Sequence, residues 1–237
     1  MIKNLTKKTL LTVWVCCLTV CAKAQLGYNF APVDVGVALG INQVSGDVAT
    51  KTNTTSVHFN FTYNQTPYTN FVFEAQFGKL AGGDSLKSAD GRQFNNNFSA
   101  FLFRGQLQLG EVFDYSNSPF KNALKNLYLS AGIGLVVNHI TSINRYSNQT
   151  PPVYTPGVNN SNEPFIPLRL GYEFKIFNNY QQPSIKIDLG LQYNLVLSDN
   201  LDGYTAGNNN DAYVQATIGV KFAIGSGNIS YRKQIQY

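Results

Sequence analysis

Cysteine is nearly absent: Cys16, Cys17 and Cys21 are the only three, and the single Trp14 and single Met1 share the same opening stretch. Past Cys21 the chain can form no disulfide framework and no thiolate. Charge is scarce too. It makes up 13% of 237 residues, about half of the roughly 25% usual in soluble domains, while the apolar fraction stays at 43%. Asn, Gln, Ser, Thr and Gly fill the difference, which excludes a charged disordered tail and a coiled coil. Two histidines, His58 and His139, are too few and too far apart for a metal site. No glycine-rich phosphate loop opens a helix, so no cofactor is implied. Only one stretch approaches the length of a membrane helix, which excludes a helical membrane protein.

That stretch lies at the start. Lys3, Lys7 and Lys8 precede an apolar run from about Leu10 to Cys21, and Ala22-Lys23-Ala24 closes it. Residues 1–24 read as a secretory signal peptide cleaved between Ala24 and Gln25. An N-terminal anchor needs about 20 apolar residues, more than are present. A lipoprotein signal ending at Cys21 would place the bulky Val20 where a small residue is wanted. The net charge of +5 suggests an anionic partner, but four of the eighteen basic residues, and none of the thirteen acids, lie within residues 1–24. The remainder holds fourteen basic and thirteen acidic side chains, so nucleic-acid binding has no electrostatic support.

Residues 25–224 alternate with period two. In 33–42, Val33, Val35, Val37, Leu39 and Ile41 share one face, and Asp34, Gly36, Ala38, Gly40 and Asn42 the other. The same pattern recurs in 55–64, 71–78, 101–109, 127–138, 166–176, 185–197 and 213–222, which makes eight predicted strands. Most run to about ten residues or more, longer than the usual 5 or 6.

Eight such strands can close as a soluble barrel, apolar inside, or as a membrane barrel, apolar outside. The lengths match the roughly 9 to 11 residues a tilted strand needs to cross hydrocarbon. The apolar faces carry no Asp, Glu, Lys or Arg in their central stretches, where Lys or Arg would cost about 2–4 kcal/mol at the bilayer midplane. The other faces hold small uncharged residues with sparse charge, unlike a water-facing sheet. Short connections at 65–70 and 178–183 alternate with long polar ones at 43–54, 81–96, 142–163 and 199–210. This alternation predicts short periplasmic turns and long surface loops, with both termini periplasmic. Between the fourth and fifth strands, Ser118 and Pro119 predict a capped short helix to about Asn126 on the periplasmic side. Residues 225–237 are either a periplasmic tail or a further pairing segment that continues the last strand.

With this all-β, antiparallel, up-and-down pattern the chain resembles the small eight-stranded outer-membrane barrels of Gram-negative bacteria, the group of the outer-membrane protein A transmembrane domain and the outer-membrane protein X type. The resemblance covers about Gln25 to Ile224 and rests on architecture, not on an invariant motif. It implies a monomer surrounded by outer-membrane lipid and lipopolysaccharide. It also implies insertion by the barrel-assembly machinery, which reads a last strand ending in an aromatic residue such as Phe222 or Tyr237.

An eight-stranded barrel is filled by its own side chains. The alternation places Asp34, Glu74, Glu173 and Asp188 inside, with Arg104, Arg169, Lys175, Lys186 and Lys221. Buried charges persist when paired, so a salt-bridged, closed lumen is expected. Glu74 with Arg104 on adjacent strands is the first expected pair, and Lys221 with Asp34 across the closure the second. Catalysis has thin support. His58 faces the lumen as a hydrogen-bonded filler, and His139, near Thr141 and Ser142, has no acid at a triad spacing and reads as an interface residue. The loops are the expected working surface, a structural or cell-surface interaction role, with Tyr146 and Tyr154 in 142–163 as contact residues. A narrow solute or ion channel and a lipid A-modifying barrel enzyme are the alternatives. Asp84-Ser85-Leu86 resembles a bacterial O-glycosylation acceptor.

Overall fold

The computed structural model describes residues 27–46, 50–86, 91–116, 118–205, 210–225 and 229–232. The expected signal peptide, its cleavage point and Tyr237 lie outside the described residues. In chain order the strands are β1 (Gly27–Phe30), β2 (Val33–Ser45), β3 (Asn53–Asn64), β4 (Thr69–Gly83), β5 (Gln93–Gln108), β6 (Leu127–Asn144), β7 (Asn160–Phe177), β8 (Pro183–Val196), β9 (Ala212–Ile224) and β10 (Ile229–Arg232). Two short helices, α1 (Leu109–Val112) and α2 (Pro119–Leu124), join β5 to β6. The Ser118 hydroxyl caps α2 by accepting from the Lys121 amide at 3.5 Å.

β2 through β9 form a closed barrel in which every neighbouring pair is antiparallel and β2 meets β9, with Val37 opposite Val220. Closure leaves no sheet edge in the ring. The period-two pattern sets which side chains turn inward. On β2 the burial alternates strictly, Val35, Val37, Leu39 and Ile41 facing out and Asp34, Ala38 and Asn42 facing in. On the outer face of β4 and β5, Phe71 stacks on Phe103 with centroids 6.1 Å apart, and Phe77 meets Phe101 edge-on at 6.2 Å. These cross-strand aromatic pairs add to the stability of the pairing.

The strands reach further toward one end than the alternation indicated. β4 continues to Gly83, β5 starts at Gln93, β6 extends to Asn144 and β7 starts at Asn160. The expected loops 81–96 and 142–163 are therefore corrected to 84–92 and 145–159. On these extensions the outward residues are Asn95, Asn97, Ser142, Asn160 and Asn162, so polarity no longer alternates although the backbone pairing goes on.

The other end carries the tight turns. There β1 and β10 form a separate two-stranded ribbon, with Phe30 opposite Ile229. Tyr231 of β10 packs edge-on against Tyr68 with centroids 5.9 Å apart, and Tyr68 meets Tyr115 at 5.7 Å. The ribbon thus docks on the turn that joins β3 to β4.

Candidate functional site

The lumen holds a charge-balanced network. Lys186 Nζ lies 2.5 Å from Asp34 Oδ2, Arg104 Nη2 lies 2.9 Å from Glu74 Oε2, and Arg169 Nη2 lies 2.7 Å from Asp188 Oδ1. Lys221 Nζ reaches both Glu173 Oε1 and Asp188 Oδ2 at 2.6 Å. Lys221 thus pairs with Glu173 and Asp188, and Asp34 with Lys186, which corrects the expected Lys221–Asp34 pair. The reason is reach: each lysine extends past the neighbouring strand to an acid two strands away. Lys175 stands apart at the turn-end mouth, where Nζ donates to Pro67 O and Gln108 Oε1, both at 2.7 Å. In this ion-paired set, four carboxylates face four cations.

Amides and a phenol complete the set. Glu173 accepts from Gln106 Nε2 and Gln108 Nε2, and Asp188 accepts from the Tyr128 hydroxyl at 2.8 Å. Glycines supply the space for the long side chains. A Cβ on Gly190 would stand 2.4 Å from Arg169 Nε, and one on Gly171 would stand 2.4 Å from the Tyr128 ring.

At mid-barrel the Glu74 carboxylate accepts from His58 Nδ1 at 2.8 Å, and His58 Nε2 lies 2.8 Å from Ser56 Oγ. Glutamate, histidine and serine in this order have the outline of a hydrolytic triad. Space decides against that use. A Cβ on Gly40 would stand 2.7 Å from Ser56 Oγ and 2.8 Å from His58 Nε2, so the β2 backbone seals the hydroxyl, and Asn42 Oδ1 accepts from it at 2.9 Å on another side. No acyl carbon can approach. The trio joins the network through Gln76, which donates to Glu74 Oε1 at 2.7 Å.

The loop-end half of the lumen holds an apolar cluster, which corrects the expectation of a polar lumen throughout. Val44, Leu80, Phe94, Phe98, Leu102, Val136, Phe165 and Tyr213 pack there with Leu201 and Tyr204, which the β8–β9 connection folds inward. The Tyr204 hydroxyl donates to Asn144 O at 2.7 Å, and Asn96 Nδ2 donates to Leu201 O at 2.9 Å. Burial pushes the Tyr204 phenol up to about 12. Phe94 and Phe98 share the inward face of β5 with Arg104, and continuing that face past residue 101 would have revealed them.

Outside the lumen, Tyr146 and Tyr154 stand as a bridged pair with ring centroids 5.3 Å apart, each more than half exposed. Arg145 Nη2 donates to Asn159 Oδ1 and Gly203 O at 3.0 Å, and Asn148 Nδ2 donates to Ser85 O at 2.7 Å, so neighbouring loops hold the hairpin in place. Leu86 of Asp84-Ser85-Leu86 is fully open to its surroundings. His139 lies on the outer face, with Nδ1 2.6 Å from Asn160 Oδ1.

Burial is inverted relative to a water-soluble protein. Ile133 is 71% exposed and Leu129 66%, whereas Arg104 and Lys221 are each 1% exposed. No family model and no curated protein matches the chain. Among solved structures it is similar to Neisserial surface protein A, with 11% identity, 82% of this chain and 98% of that chain covered, and a TM-score of 0.48. It is also similar to Ail, the attachment invasion locus protein of Yersinia pestis, with 10% identity, 81% and 97% covered, and a TM-score of 0.42. Outer membrane protein AlkL in lipid bilayers shows 12% identity, 91% and 97% covered, and a TM-score of 0.44. The barrel itself rests on the closed ring of pairings in this chain. The chain is an all-β, closed, antiparallel eight-stranded barrel similar to small outer-membrane barrels.

Proposed function

We propose that this chain is a bacterial outer-membrane barrel with a closed lumen, whose long loops form a cell-surface contact area centred on Tyr146 and Tyr154. The observation that carries the reading is the inverted burial: a continuous apolar outer face around a core of paired charges. Such a face in water would be a large aggregation liability, whereas in lipid it is satisfied. In this reading residues 1–24 direct export, the 145–159 hairpin faces outward, the turns and the β1–β10 ribbon face the periplasm, and the barrel-assembly machinery inserts the chain as a monomer.

Lumen packing favours a structural barrel over a channel. Arg104, Lys221 and Tyr128 fill the polar half, and Phe98, Phe165 and Tyr213 fill the other. Protein in planar bilayers is expected to show no steady conductance. The direct test is fractionation: the chain appears in isolated outer membranes, migrates faster unheated than heated, and is cut within 145–159 by protease added to whole cells. Recovery in the soluble periplasm overturns the reading.

A further inference from the structure

Among the described residues, two apolar grooves of similar size run along the outer face. One, about 770 Å³, crosses β4 to β9 between Phe71, Leu107 and Leu168, with Gly105 and Ala131 at its floor. A Cβ on Gly105 would meet nothing within 4 Å. Every outward-facing side chain along this groove is uncharged. The other groove, about 830 Å³, crosses β9, β2, β3 and β4. Ile218, Leu39, Val57 and Phe77 form one row of its wall, and Ala216, Ile41 and Thr55 the next row toward the loops. Lys79 follows Phe77 on the outer face of β4 and lines the same groove.

Lys79 is exposed, and among the described residues no carboxylate lies within 4.0 Å of it. It pairs in register with Asn97, which pairs with His139, which pairs with Asn160. Lys79 therefore stands at the level where the outer face changes from apolar to amide-rich. A cation costs little at the interface and can extend its ammonium toward headgroups while its methylenes cover apolar surface. One groove thus carries a cationic head above an apolar floor, and its counterpart does not.

We propose that the Lys79 groove binds a phosphorylated, acylated glycolipid of the outer leaflet, with an acyl chain over Ala216, Ile41 and Leu39 and a phosphate at Lys79. The complementarity is one of charge and shape together: an anionic head and an extended apolar chain match the two ends of the groove. The choice of leaflet rests on the orientation proposed above.

The test is native mass spectrometry of the full chain purified in detergent and offered diphosphoryl lipid A, dephosphorylated lipid A or phosphatidylglycerol. Diphosphoryl lipid A is expected to remain bound. Lys79→Gln weakens retention at least tenfold, as does Ala216→Trp, which fills the groove. Ala131→Trp, in the uncharged groove, leaves retention unchanged, and heat-modifiable mobility verifies that each variant is folded. Equal retention by the lysine variant, or equal binding of the dephosphorylated lipid, overturns the site. If the hairpin is accessible on whole cells and lipid A is still not retained, the site fails while the orientation stands. Phosphatidylglycerol held through Lys79, with the hairpin inaccessible, overturns both.

Discussion

Glu173 and Asp188 stand directly opposite each other across the β7–β8 ladder, two carboxylates in register inside the barrel. Like charges in that position destabilise a sheet. Lys221 resolves the conflict from β9, with its ammonium 2.6 Å from each. Lys221→Met should cost about 3–5 kcal/mol, the range for removing one partner of a buried pair. Adding Glu173→Gln to that variant should restore part of the loss, because it removes the repulsion. Urea unfolding in detergent reads both.

Arg104 should behave similarly at mid-barrel, since it holds Glu74 at 2.9 Å and donates to Gln192 Oε1 at 3.2 Å. Arg104→Ala is expected to lower the unfolding midpoint by an amount equivalent to about 3–5 kcal/mol. An unchanged midpoint would show that the pair contributes nothing.

Tyr204 ties the β8–β9 connection to β5 and β6. Its pKa is raised to about 12 by burial, above the roughly 10 of a free phenol. Its contribution to holding this loop is therefore complete below about pH 10 and is lost as pH rises through 12. Ultraviolet titration should show one fewer tyrosine ionising near 12 in Tyr204→Phe, and cleavage within 197–211 by a broad-specificity alkaline subtilisin should begin in the same alkaline range.

Tyr231 links β10 to the barrel through Tyr68 and through its hydroxyl, 3.4 Å from Glu111 Oε1. Because the ribbon lies outside the closed ring, Tyr231→Ala should speed hydrogen exchange at 27–30 while leaving the midpoint of barrel unfolding within about 1 kcal/mol.

The barrel was legible in the sequence because its strands face two unlike media, and period-two alternation records that contrast directly. Strand ends toward the loops were not, since Asn95, Asn97 and Asn160 leave the apolar zone while the ladder continues. Inward residues can be assigned strand by strand, yet partners two strands apart cannot, so the sequence does not reveal that Asp34 meets Lys186 rather than Lys221. The apolar cluster in the lumen escaped notice because Leu201 and Tyr204 come from a connection whose inward fold has no periodic signature. β1 and β10, four residues each, are too short for alternation to register.

Every cysteine lies at or before position 21, so single cysteines introduced later report their own surroundings. Tyr154→Cys, Phe103→Cys and Tyr180→Cys sample the long loops, the outer belt and a short turn. With a membrane-impermeant maleimide, Tyr154→Cys should react on intact cells, Tyr180→Cys only after the outer membrane is permeabilised, and Phe103→Cys only once detergent replaces lipid. Reaction of Phe103→Cys in intact membranes as fast as Tyr154→Cys would contradict a lipid-facing belt, and with it the membrane barrel.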